Sequence, residues 1–332
     1  YTGRKPVIPS SLADTSCDTL SVQGLLDQLN TTLATSHSLD NSFLSSLLEY
    51  LISDNCDFDL AYSHLRQIWY TDDWSTIKDV LWKWRDEDGE ERRKALVGNR
   101  IVNSLLPPRR VWDLPNLKTA YCPCQYRTAV WTPINGYEWP VPIPKDADLN
   151  LIRIEMLNLG HEHTWLDVLC LRQEGGQTED LRTEEWKLDV PTIGNVYGQL
   201  FVVCYLSGLG HPLTLKEGDL ESDRSWFRRA WTLQETARRM LFAGDTPDGP
   251  LHAECKDGEY ATELLARFHK QREHACDNFF DREALVEMRN RISTNPVDKI
   301  AGLAKLTGCG SIPAYYKSMS LEDAWTALGD PC

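Results

Sequence analysis

The chain has 332 residues, 42 % of them apolar, with 12 Trp, 12 Tyr and a formal charge of −14. That length suggests two or three modules, and the apolar content is enough for a substantial core. Charged residues at 25 % are ordinary for a folded protein and exclude wholesale disorder. The acidic excess argues against a duplex nucleic-acid binder and against docking on an anionic membrane, since both need clustered Lys and Arg. No run of about eighteen apolar residues occurs, so no membrane span is expected. The first residues also lack the apolar core of a signal peptide. The ten cysteines are scattered, and several, such as Cys170 in "WLDVLCL" and Cys204 in "FVVCYL", sit in apolar runs. Cysteines so placed act as small hydrophobes, which points to a reducing, cytoplasmic setting rather than a disulfide framework.

From residue 18 to about 104 the pattern is helical. "LSVQGLLDQLNTTL", "SFLSSLLEYLI" and "DLAYSHLRQIWY" each repeat apolar residues at three and four positions. The charge run Asp86–Lys94 reads as a solvated helix end or loop. Pro107-Pro108 cannot continue a helix and marks a boundary. The Pro- and aromatic-rich stretch that follows is expected to hold one strand and a long ordered loop. Next come element types in alternation: a helix ending at Gly160, a buried strand in "HTWLDVLCL", a helix over 182–199, a second buried strand in "LFVVCYLSG", a helix over 225–239 and a short strand in "RMLFAGD". Strands and helices in that order suggest right-handed crossovers and a parallel sheet covered by helices. The remainder is helical, with "NPVDKIAGLAKLTG" placing Asn295 at N-cap and Pro296 at N1. These limits divide the chain into a helical region 1–105, an α/β core 106–250 and a helical region 251–332.

Familiar catalytic motifs are absent. No G-x-x-x-x-G-K-[ST] or G-x-S-x-G occurs, and "SGLGHPL" has Gly208 and Gly210 but no third glycine for a dinucleotide fingerprint. Cys122-Pro123-Cys124 and His161-Glu162-His163 match no structural zinc spacing, so no metal site is expected. Asp167 lies inside an apolar run and must either be paired or face a cleft. Arg172 and Gln173 follow it, where ligands of open parallel sheets bind. In "SWFRRAWTLQETARR", a helical wheel puts Trp226, Phe227, Ala230, Gln234 and Ala237 on one face, with Trp231 at the rim. Glu235 lies just beyond that rim. It can enter a cleft, or pair with Arg228, Arg238 or Arg239, all within helical reach.

Three separated stretches together resemble the fungal heterokaryon-incompatibility domain. They are "HTWLDVLCLRQ", "EEWKLDVPTIGNVYG" leading into "FVVCYLSG", and "SWFRRAWTLQE". That family carries W-[IL]-D-x-[LV]-C-[IL]-x-Q and later R-x-W-x-x-Q-E. Here these are Trp165 to Gln173 and Arg229 to Glu235, and "NPVDKIAGLAKLTG" resembles the P-x-D-K-[IV]-x-[AG]-L stretch that often follows. The likeness spans roughly 106–310. It implies a fungal, cytoplasmic protein of non-self recognition and cell death, with a TIR/flavodoxin-like parallel core between helical flanks. Some TIR-like enzymes hydrolyse NAD with the glutamate of a W-x-x-x-E arrangement after the third strand. Trp231 to Glu235 fits it, making Glu235 the implied catalytic carboxylate and NAD a substrate rather than a cofactor. Trp231 would wall the cleft, and Asp167, Arg172 and Gln173 would contact ribose or phosphate. The family's first block, S-[HY]-x-W, is altered: Thr128 and Trp131 stand in its place, with no serine from 121 to 131. They join the implied substrate-binding set. The partners implied are a second copy of the chain or another protein; a non-catalytic interaction module is the competing reading.

Overall fold

The computed structural model describes residues 8, 10–13, 15–54, 56–66, 68–71, 73–115, 128–135, 138–176, 178–211, 214–223, 225–235, 240–243, 260, 262–276, 282–306 and 310–329. In chain order come α1 (Ser10–Ala13), α2 (Cys17–Leu33), α3 (Ser42–Ser53), α4 (Phe58–Leu65) and α5 (Ile77–Ala95). After them run β1 (Leu96–Val97), β2 (Arg100–Ile101), β3 (Trp112–Asp113), β4 (Thr128–Trp131), β5 (Pro140–Ile143), α6 (Leu149–Asn158), β6 (His163–Thr164), α7 (Asp167–Cys170), α8 (Glu179–Asp189) and α9 (Ile193–Gln199). The last part holds β7 (Val202–Cys204), α10 (Thr232–Glu235), β8 (Met240–Phe242), α11 (Glu263–Cys276), α12 (Arg282–Arg289), α13 (Pro296–Ala304), β9 (Ile312–Pro313) and α14 (Leu321–Gly329). The class is mixed helix and sheet. Among the described strands only β7 and β8 pair in parallel; the β1-β2-β9 sheet and the β3-β6 and β4-β5 pairs are antiparallel.

The chain forms two compact units, each assembled from more than one stretch. One comprises Tyr1–Glu90, Arg110–Lys145 and Asn150–Gln177; the other comprises Glu91–Arg109, Asp146–Leu149 and Thr178–Cys332.

In the first unit the helical periodicity is realised as a packed N-terminal core. Leu25, Leu26, Leu29 and Leu33 of α2 and Leu44, Leu47, Leu48 and Leu51 of α3 are buried in one cluster, the spacing of a single apolar stripe on each helix. Local caps set the ends. Asn41 accepts from Phe43 N and Leu44 N at the start of α3, and Asp57 accepts from Leu60 N at the start of α4, satisfying amides a helix leaves unpaired. Trp69 is fully buried, yet its indole finds Thr35 Oγ1 at 2.7 Å, as a buried N–H requires. Just past α4, Arg66 grips Asp113 of β3 through both oxygens at 3.1 and 2.9 Å and reaches Glu162 at 3.2 Å. That fork ties the helices to the β3-β6 pair. Within the same unit the Trp139 ring is buried under the guanidinium groups of Arg110 and Arg172, at 5.3 and 5.0 Å.

Five stretches differ from the sequence expectation. The helical pattern expected to about residue 104 ends with α5 at Ala95, and β1 and β2 pair beyond it. The Pro- and aromatic-rich stretch expected to hold one strand holds β3, β4 and β5. The run 163–171 is not one buried strand. Only His163–Thr164 pairs, and Asp167–Cys170 turns helical, with Asp167 Oδ1 accepting from Val168 N at 2.8 Å. A short apolar run has no period that separates a strand from a buried helical turn. The helix expected over 182–199 is broken at Val190-Pro191-Thr192 into α8 and α9, because proline lacks the amide a continuing helix needs. The helix expected over 225–239 is a 3-10 turn, Trp226–Arg228, then an extended residue, then α10. Residues 236–239 lie outside the described set.

Candidate functional site

The segment from Trp226 to Glu235 belongs to the second unit and is shaped by what it packs on. Arg229 bridges Ile292 in parallel. Ala230 N donates to Ile292 O at 2.9 Å, and Ile292 N donates to Arg228 O at 2.6 Å. Those bonds hold Arg229 extended, and a helix cannot pass through it. Arg291, only 4 % exposed, donates from Nη1 to Arg229 O at 3.0 Å and to Thr232 Oγ1 at 2.7 Å. Burial lowers its pKa to about 10, and the carboxylates of Glu287 and Glu235 oppose that fall. The wholly buried Thr232 hydroxyl is placed to donate to Trp226 O or Arg229 O, at 2.6 and 2.7 Å.

From this brace the motif side chains project onto α13. The Trp231 indole donates to the Asp298 carboxylate, which also accepts from Tyr315 Oη at 2.8 Å. Burial raises Asp298 above the usual carboxylate range, against those bonds and one from the Asn295 amide. Asn295 in turn caps α13 by accepting from Val297 N, so Asn295 and Asp298 form a reciprocal capping box. Gln234, 2 % exposed, donates from Nε2 to Ala301 O at 3.1 Å and Gly302 O at 2.7 Å. The tryptophan and glutamine of W-x-x-Q-E thus hold the P-x-D-K helix in place.

Glu235 closes α10 and is half-buried. Its Oε2 accepts from Trp226 Nε1 at 2.8 Å. Trp226 is itself packed against Cys204 of β7 and Phe242 of β8, so the indole relates the carboxylate to the carboxyl-end residues of the parallel pair. Of the arginines expected as partners, Arg228 donates to Glu221 O at 3.0 Å and lies 3.8 Å from Asp223. Arg238 and Arg239 lie outside the described residues, as does Ala237.

The other expected residues belong to the first unit. Asp167 is half-buried and bonds the amide that follows it. Arg172, 6 % exposed, pairs with Glu138 at 2.6 Å beside the Trp139 ring. Gln173 donates to Leu171 O at 2.7 Å. Thr128 and Trp131 pair through their backbones with Ile143 and Pro140; their side chains lie outside the described part. Glu235 and Trp231 therefore sit in one unit, and Asp167, Arg172, Gln173, Thr128 and Trp131 in the other.

Among the described residues no group of three or more His, Cys, Asp or Glu is arranged to hold a metal ion. Cys122 and Cys124 are outside that set, while Glu162 is engaged by Arg66, and His163 Nε2 lies 3.2 Å from Arg66 Nη2. Gly208 and Gly210 both take positive φ, 118° and 77°, and a side chain on Gly210 would collide with the Asp148 carbonyl. They make a tight turn, as glycine permits. A small apolar crevice against α13 is lined by Val297, Ile300, Ala304, Ala314, Tyr315 and Met319, without either motif carboxylate. Sequence reasoning missed Arg291 and Asp298. For Asp298 a signal existed, since an acid three residues after an N-cap asparagine is a capping box. Arg291 carried none. No family model, curated protein or solved structure matches the chain.

Proposed function

We propose that the chain is a cell-death signalling module of the heterokaryon-incompatibility kind, cytoplasmic and TIR-like in its core, that hydrolyses NAD through Glu235 after self-association. The observation that carries the reading is the placement of Glu235. It ends α10, within the connection between the parallel strands β7 and β8, and its carboxylate accepts from the Trp226 indole at 2.8 Å. The chemistry asks little more of the protein. The N-glycosidic bond breaks with its electron pair going to the cationic pyridinium nitrogen, so nicotinamide leaves the ribose as a neutral molecule and needs no general acid. One oriented carboxylate holds a ribose hydroxyl and stabilises the oxocarbenium-like charge until water adds.

A second reading has its own observation. Trp231 and Gln234 are committed to Asp298 and to the carbonyls of Ala301 and Gly302, as a non-catalytic interaction module would use them. One experiment separates the two. Nicotinamide release from NAD is followed at high protein concentration for the wild type and Glu235→Gln, which keeps an oxygen for the Trp226 indole. The enzyme reading expects release to drop by about 100-fold or more with an unchanged Tm. A folded wild type that releases no nicotinamide leaves the interaction module standing.

A further inference from the structure

An antiparallel bridge joins the chain entering α2 to the chain entering α4, and it sets two cysteines opposite each other. Ser16 pairs with Asp57. On either side of that pair, Cys17 N donates to Cys56 O at 3.0 Å and Phe58 N donates to Thr15 O at 2.8 Å. Cys17 and Cys56 are therefore the next cross-strand neighbours. Residues so placed send their side chains to the same side, with Cα atoms about 5.5 Å apart. A disulfide needs roughly 4.4–6.8 Å. Both thiols are buried in the same apolar cluster as Phe58, Leu25 and Leu29, at 0 % and 2 % exposure, and both are free. Cys204 and Cys170 are placed differently: Cys204 faces Phe242 across the β7-β8 pair, and Cys170 ends α7.

We propose that Cys17 and Cys56 are a disulfide-forming pair, left reduced in a reducing cytoplasm and closed by exchange with a small-molecule disulfide when the N-terminal helices assemble under oxidising conditions. One protein thiol loses its proton and attacks the small disulfide, releasing one small thiolate and leaving a mixed disulfide. The second thiolate then attacks the protein sulfur of that mixed disulfide and releases the other small thiolate. The protein gives up two protons and two electrons, and the oxidant carries them away as two thiols. Burial dictates the timing. It pushes the Cys17 thiol up to about 12 and the Cys56 thiol to about 11, so the folded protein offers little thiolate and no open path to it. The closed bond would fix the start of α2 to the start of α4 across a loop of about 40 residues containing α3, and restrict the unfolded chain accordingly.

The test refolds the full chain from reduced, unfolded protein in mixed oxidised and reduced glutathione, then alkylates and digests it without reductant. The expected product is a linked peptide pair containing Cys17 and Cys56, about 2 Da lighter than its two reduced halves. The oxidised protein should melt on the order of 5–10 °C above the reduced one, a gap absent in Cys17→Ala. The same mixture should link already folded protein at least about ten-fold more slowly. Native near-UV dichroism regained with both cysteines alkylated overturns the pair. So does a link from either to another cysteine. Equal rates in folded and refolding protein overturn the assignment of closure to assembly.

Discussion

Gln234 and Asp298 show how single side chains hold this fold together. Gln234 is buried and meets two main-chain carbonyls of α13 through one nitrogen. Gln234→Ala should cost about 1–3 kcal/mol, read as a lower urea midpoint with an unchanged m-value. Gln234→Glu should cost more, because a carboxylate brings only acceptors to those carbonyls. Asp298 carries a pH signature. Burial raises its folded pKa above the ordinary value of 3.8. Between the two values the folded state therefore holds more proton than the unfolded one, and stability falls as pH rises through that window. Unfolding free energy measured from pH 3 upward should show this fall in the wild type. Asp298→Asn, which keeps an acceptor for Tyr315, should flatten it; an unaltered slope would place the proton elsewhere.

At the scale of elements, α9 rests against the residues that follow α13 and α10. A side chain on Gly194 would meet Lys305 Cδ at 2.8 Å and the Gln234 amide carbon at 3.0 Å, whereas one on Gly198 would meet only Lys305 atoms, Nζ first at 2.5 Å. Gln234 is held by two bonds and cannot yield, while the tip of a lysine can. Gly194→Ala should therefore destabilise by about 1–3 kcal/mol. Gly198→Ala should stay within about 1 kcal/mol of wild type, since alanine's helical preference offsets a disturbed Lys305 contact with Gly194 O. Thermal melts of the two variants decide it. Much of this level was legible in advance. The helices between residues 17 and 95 and the Asn295-Pro296 start came from patterns within one turn of chain, whereas the helical pattern expected to run on to about 104 gives way to the β1-β2 pair. The segment 225–239 did not, because Arg229 and Ala230 take their backbone partners from Ile292.

For the whole molecule, the charge of −14 opposes any assembly of like copies. If signalling proceeds through self-association, raising ionic strength from about 0.05 M to about 0.5 M should screen that repulsion and increase association. Sedimentation velocity at matched protein concentration gives the answer, and association that weakens with salt would instead point to specific ion pairs between copies. No helix among the described residues is long and apolar enough to cross a membrane.

What the sequence by itself determined is what short-range physics encodes. Apolar stripes at three and four residues gave α2, α3 and α4, and capping chemistry gave the start of α13. Only the tertiary structure decided that Asp167 begins a helical turn rather than sitting in a strand, and that Trp231 and Gln234 are fastened to α13. It also decided that a buried arginine, Arg291, 62 positions from Arg229, braces the motif. Those outcomes rest on hydrogen bonds and burial between distant stretches. A short apolar run is compatible with strand and helix alike, and the partner that decides between them lies far along the chain.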